Sequence, residues 1–216
     1  MTLVTALTII AAVLGFVQAI PYIVSILRGI TKPSRVAVII WVLMDSVVFV
    51  GLVTVGWSGA AALRLGFVVT QIIVAFLLPK YGVGGKSKFD LICFGIGIIA
   101  VIGWIIIHQA FAHAHYGAIF AVVLTSGALA IGNLNLILKL IKVPLSEDIT
   151  AWGMTLIAAL LTTVTLKLTA AAWVGYVPTL LTAVVSATVI GIQIYQRHTM
   201  TRAKCPRDDS NVRPTL

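Results

Sequence analysis

The chain has 216 residues, 60% of them hydrophobic and 10% charged, and its mean hydropathy is +1.12. Soluble domains carry about 25% charged residues, so a water-soluble globule of this length is excluded. The net charge of +9 does not point to nucleic acid, because the basic residues sit at the ends of apolar stretches and in the C-terminal tail.

A membrane-spanning helix needs roughly 20 apolar residues, and seven stretches meet that length. The first runs from about Leu3 to Leu27. Its Val17-Gln18-Ala19 is similar to a signal-peptide cleavage site, but the basic n-region of such peptides is missing, so it is read as a span. A basic loop with Arg28, Lys32 and Arg35 leads to the second span, about Val36 to Val55. The turn Gly56-Trp57-Ser58-Gly59 opens the third, about Ala60 to Pro79. The glycine- and lysine-rich segment Lys80 to Lys88 is a loop signal. The fourth span is about Phe89 to Ile107, and the loop His108 to His115 precedes the fifth, about Tyr116 to Leu138. A polar loop, Lys139 to Asp148, leads to the sixth, about Ile149 to Leu168, and the seventh is about Ala172 to Tyr195. From Gln196 to residue 216 the chain is polar, charged and proline-containing, and reads as a disordered tail. The expected domain is thus residues 1–195, all-α and membrane-embedded.

Basic residues are retained on the cytoplasmic side of a membrane. Seven spans put 13 of the 15 basic residues on one side and leave for the other Lys167 and, where it snorkels outward, Arg64. The expectation is a multi-pass protein of the cell (inner) membrane, N-terminus outside and C-terminus cytoplasmic. The bilayer is its first partner, and the basic tail is suited to a cytoplasmic partner or anionic lipid. The sequence does not fix the oligomeric state; a homo-oligomer is compatible with it.

An internal repeat is visible. Ile26-Leu27-Arg28-Gly29-Ile30-Thr31-Lys32-Pro33 is followed by Trp41, and Ile137-Leu138-Lys139-Leu140-Ile141-Lys142-Val143-Pro144 by Trp152. One offset of 111 aligns Pro33 with Pro144, Trp41 with Trp152 and Arg28 with Lys139. Spans one to three (about 3–79) then map onto spans five to seven (about 116–195), with span four (about 89–107) as a linker. Two three-helix units run parallel only if an extra helix lies between them. The expected plan is therefore 3+1+3, two parallel three-helix bundles related by an axis along the membrane normal.

These residues resemble the PQ-loop group, which includes the SWEET sugar transporters. The segment from Pro21 through Arg35 to Trp41 further resembles bacterial PQ-loop-like membrane proteins without assigned function. The likeness in architecture covers about residues 3–195, and that of the motifs two stretches of about 20 residues. The chain departs from the signature Pro-Gln: the pair is Pro21-Tyr22 in the first repeat and Gly132-Asn133 in the second. The resemblance implies small-solute transport by alternating access, with Pro21 as a hinge and Gly132 as its flexible substitute.

Ionisable and amide groups inside spans are the functional candidates, since each is expensive in a bilayer. Asp45, near the middle of span two, reads either as a coupling or substrate-binding carboxylate or as the partner of Arg64. Gln18, one turn before Pro21, reads as a cavity residue or as a helix–helix bond. Pro21 itself reads as a hinge or a static kink. Asn133 and Asn135 lie on different faces, and Asn133, aligned with Tyr22, is the better cavity candidate. Gln71 and Ser186 read as cavity residues or interhelical bonds. Trp41 and Trp152 read as interfacial anchors or as one wall of a pocket, and Trp57 and Trp173 as outer anchors. Glu147 and Asp148 are placed to cap the sixth span.

The loop histidines His108, His113 and His115 lack a nearby carboxylate and make no metal site. Cys93 and Cys205 form no disulfide framework. No nucleophile elbow, paired carboxylates or phosphate loop is present, so no enzyme activity and no cofactor are expected. Two functions remain in view: a small-solute (sugar or small metabolite) transporter or facilitator, and a non-transporting receptor, chaperone or assembly protein on the same scaffold.

Overall fold

A computed structural model describes residues 2–110, 115–170 and 173–204, and every regular element in it is helical. His113, Cys205 and the tail beyond Lys204 lie outside the described residues. Helices α1 (Leu3–Val17) and α2 (Ala19–Leu27) form the first apolar rod, followed by α3 (Arg35–Val55), α4 (Gly59–Tyr81), α5 (Lys88–Ala110), α6 (His115–Lys142), α7 (Ile149–Leu168) and α8 (Tyr176–Lys204). Among the described residues, seven rods are long and apolar enough to cross a membrane, from Leu3–Leu27 to Trp173–Thr201. Their outward faces are apolar: Phe76 is 82% exposed and Ile99 69%, which water would not tolerate over a whole surface and lipid does.

Polar residues start the helices. Ser34 Oγ accepts from the Ala37 N–H at 3.3 Å, Ser58 Oγ from Ala61 at 3.4 Å, and Asp148 Oδ1 from Ala151 at 2.8 Å. Each satisfies a donor that a first turn leaves open. α3 ends at Gly56, whose φ of 143° suits glycine.

The first rod breaks at Gln18. Pro21 is the cause: it has no N–H for the Val17 carbonyl, four residues back, and its ring crowds that carbonyl. Val17 is accordingly the last residue of α1. At the other end of the chain the expected boundary is corrected. α8 continues to Lys204 rather than stopping at Tyr195. Residues 196–204 are polar but hold no glycine or proline, and extending an existing helix needs no new nucleus. Gln196 also ties that segment down, donating to the Leu140 carbonyl at 2.9 Å and accepting from the Leu145 N–H at 3.1 Å.

α4 packs against both α1 and α3, and α8 against both α6 and α7. Between these groups α3 lies on α6 and α1 on α7, while α5 packs on α6 and α3. Small residues permit the tightest of these approaches, most closely where Gly66 of α4 meets the backbone of Gly15 in α1.

Candidate functional site

A cavity of about 90 Å³ lies where α1/α2, α3, α4, α6, α7 and α8 converge. At roughly 10–15 Å³ per water by this measure, it has room for several waters or one small solute. Its wall includes Gln18, Tyr22, Trp41, Asp45, Gln71, Asn133 and Trp152, all singled out from the sequence. Pro21, Gly132 and Ser186 are not among the lining residues.

Helix register places each group along the bundle. Trp41 and Trp152 stand early in α3 and α7, toward the end that carries Arg35 and Lys139 (the basic end). Asp45 comes one turn deeper. Arg64 enters from the opposite end, five residues into α4. Because α3 and α4 are antiparallel neighbours joined by a short turn, the long Arg64 side chain reaches Asp45. Its guanidinium Nη1 meets Asp45 Oδ1 at 2.5 Å, Nη2 donates to Thr182 Oγ1 at 2.7 Å and also to the Pro178 carbonyl of α8. Gln71 Nε2 donates to the second Asp45 oxygen at 2.7 Å. The carboxylate is thus the partner of Arg64, and the pair carries no net charge. Arg64 also stacks over Phe67, 5.4 Å from the ring centroid.

At the other end of the cavity the tryptophans meet edge to face, with ring centroids 6.1 Å apart. Trp41 Nε1 donates to Asn133 Oδ1 at 3.0 Å and Trp152 Nε1 to Glu147 Oε2 at 3.1 Å. Both indoles line the cavity. Trp41 is only 8% exposed, and each indole N–H has a protein acceptor, the half-buried Asn133 or the buried Glu147. Trp57 and Trp173, by contrast, are exposed.

Gln18 sits at the break of the first rod and donates to the Gly15 carbonyl and to Thr70 Oγ1, at 3.3 and 3.4 Å. The Tyr22 hydroxyl is buried without a well-formed hydrogen bond and lies within electrostatic reach of Glu147. Gln71 Oε1 and Arg64 Nε are likewise buried and unpartnered among the described residues.

The remaining candidates have structural roles. Ser186 Oγ donates to the Thr182 carbonyl at 2.8 Å, a back-bond within α8. α6 runs unbroken through Gly132. A Cβ there would meet Ile40 Cγ2 at 2.9 Å, so close packing of α6 on α3 explains that glycine. Asn135 faces away from the cavity, accepting from Ser34 Oγ at 2.7 Å and donating to Asp90 Oδ1 at 2.6 Å. Asp148 caps α7 as expected, while Glu147 turns inward to pair with Lys139. Lys139 Nζ also donates to the Lys32 carbonyl at 2.8 Å.

Sequence reasoning missed the cavity threonines Thr70, Thr155 and Thr182, while the pairing of Arg64 with Asp45 was one of its two readings of that carboxylate. Threonines in apolar spans give no signal. Comparison with protein-family models, characterised proteins and solved structures finds no match.

Proposed function

We propose that the chain is a small-solute transporter or facilitator of the PQ-loop type in the cell inner membrane, working by alternating access. Its two units are α1/α2–α3–α4 and α6–α7–α8, with α5 as linker in a 3+1+3 plan. The packing favours this: α4 touches both other members of its unit and α8 does the same in the second. The cross-contacts α3–α6 and α1–α7 exchange under the sequence offset. The charge partition favours a cytoplasmic basic end.

The observation that carries the reading is one cavity whose polar groups come from both units. Asp45, Arg64 and Gln71 stand in the first; Asn133, Trp152 and Thr182 in the second. Polar ties between the units lie on either side of it. Arg64 to Pro178 and Thr182 closes one side, and Lys139 to the Lys32 carbonyl with Ser34 to Asn135 closes the other. Loosening one set while the other holds exposes the cavity to one side at a time. Since Asp45 and Arg64 cancel, the cavity suits an uncharged or zwitterionic solute such as a sugar or small metabolite.

The test is uptake by the full chain in proteoliposomes against a panel of sugars, amino acids and small metabolites. Saturable uptake of one class is expected. Asn133→Leu is expected to lower it roughly three- to tenfold, the worth of one hydrogen bond. A non-transporting receptor, chaperone or assembly protein is the rival, favoured by the missing glutamine after Pro21 and the glycine at position 132. Inserted protein that moves no class of solute decides for that rival.

A further inference from the structure

A second pocket lies at the basic end, outside the central cavity. It has a volume of about 470 Å³ and is bounded by the start of α3, the loop before α5, the first turn of α5 and the last turn of α6. Four of its lining residues are cationic: Arg35, Lys86, Lys139 and Lys142. Lys139 is committed to Glu147. Among the described residues, Arg35, Lys86 and Lys142 have no ion-pair partner.

The single carboxylate in the wall, Asp90, is already occupied. One oxygen accepts from the Gly85 and Ser87 N–H groups at 2.9 and 3.1 Å, the other from Asn135 at 2.6 Å. It organises the loop without pairing with any of the three cations, and one carboxylate against three unpaired cations leaves the pocket net positive. Glycines shape this floor. Gly84 and Gly85 have φ of 77° and 97°, a region other residues rarely enter. A Cβ on Gly82 would sit 2.8 Å from Arg35 Cγ, so glycine is what lets the loop fold beneath that arginine.

Oxyanions with several acceptor oxygens suit such a cluster, and phosphate is the common one. The surroundings then choose its source. Phe89 and Leu138 in the pocket wall, and Leu91, Ile92, Leu134 and Ile141 on the same two helices, are exposed apolar side chains. A free phosphate has no use for them; acyl chains do.

We propose that this pocket binds the phosphate headgroup of an anionic phospholipid, with the acyl chains laid along α5 and α6. The site is independent of whether the central cavity transports. Each basic residue near a membrane surface contributes about fivefold to anionic-lipid binding.

The test is native mass spectrometry of the full chain in neutral detergent, titrated with phosphatidylglycerol, phosphatidylcholine or inorganic phosphate. One phosphatidylglycerol per chain is expected to be retained in preference to phosphatidylcholine. Lys86→Gln and Lys142→Gln, both at exposed positions, are each expected to weaken retention about fivefold, and adding Arg35→Gln to deepen the loss. Lys167→Gln, at the opposite end, is expected to change nothing. Unaltered retention in the triple variant overturns the proposal, as does an equal loss from Lys167→Gln. Competition by inorganic phosphate at concentrations comparable to the lipid overturns the lipid assignment.

Discussion

Replacing Arg64 with methionine is expected to destabilise the protein by about 3–5 kcal/mol, because it strands a buried carboxylate. Asp45 is 2% exposed and Arg64 3%, so neither charge has bulk water to fall back on. Gln71 would still donate to Asp45, but an amide dipole does not replace a countercharge. Asp45→Asn should be milder, since Arg64 keeps its bonds to the Pro178 carbonyl and Thr182. The double variant Asp45→Asn, Arg64→Met should recover most of the loss seen with Arg64→Met alone. Thermal unfolding of the four proteins in one detergent gives the cycle. A loss within about 0.5 kcal/mol for Arg64→Met, the range of ordinary surface substitutions, would show that the pair is not buried as described.

The second large effect is expected at Gly66. A Cβ there lies 2.9 Å from the carbonyl carbon of Gly15 and 3.0 Å from its oxygen. These are backbone atoms, so α1 as a whole must move to make room. Gly66→Ala is expected to cost about 1–3 kcal/mol, as overpacking does. Gly66→Leu is expected to prevent α1 from docking on α4, which would separate Gln18 from Thr70 and open the cavity wall. Gly95, Gly127 and Gly191 have nothing within 4 Å of the added carbon. Alanine there is expected to be neutral or to stabilise by up to about 1 kcal/mol through helix propensity. Yield of monodisperse protein and its melting temperature distinguish the two groups. Equal behaviour of Gly66→Ala and Gly127→Ala would contradict the tight crossing.

Depth in the bundle was legible in the sequence, and facing was not. Apolar runs set the seven rods to within a few residues, save the polar end of α8, because bilayer thickness fixes the length of the apolar part only. The Asp45–Arg64 pairing was readable in the same way. A short turn joins their helices, and the two residues differ in depth by about five positions, roughly 7.5 Å at 1.5 Å per residue, which an arginine side chain can span. The direction in which Trp41 and Trp152 point had no such signal. A helix that is apolar all round gives no stripe from which to read its buried side. Position near a helix end therefore implied an interfacial anchor, whereas packing of α3 on α6 turned Trp41 toward Asn133. The same blindness hid Thr70, Thr155 and Thr182. Gly132 shows the converse: its alignment with Pro21 drew attention to flexibility, while its close approach to Ile40 explains why a side chain is absent.

The most direct test of a cavity that opens to each side in turn needs no knowledge of the solute. Thr155→Cys, in a chain whose Cys93 and Cys205 are replaced by serine, places one thiol in the cavity wall. A small membrane-impermeant thiol reagent is then applied from one side or the other of vesicles with oriented protein. Labelling from both sides is expected. Labelling from one side only, or from neither while the denatured protein reacts fully, would contradict alternating access.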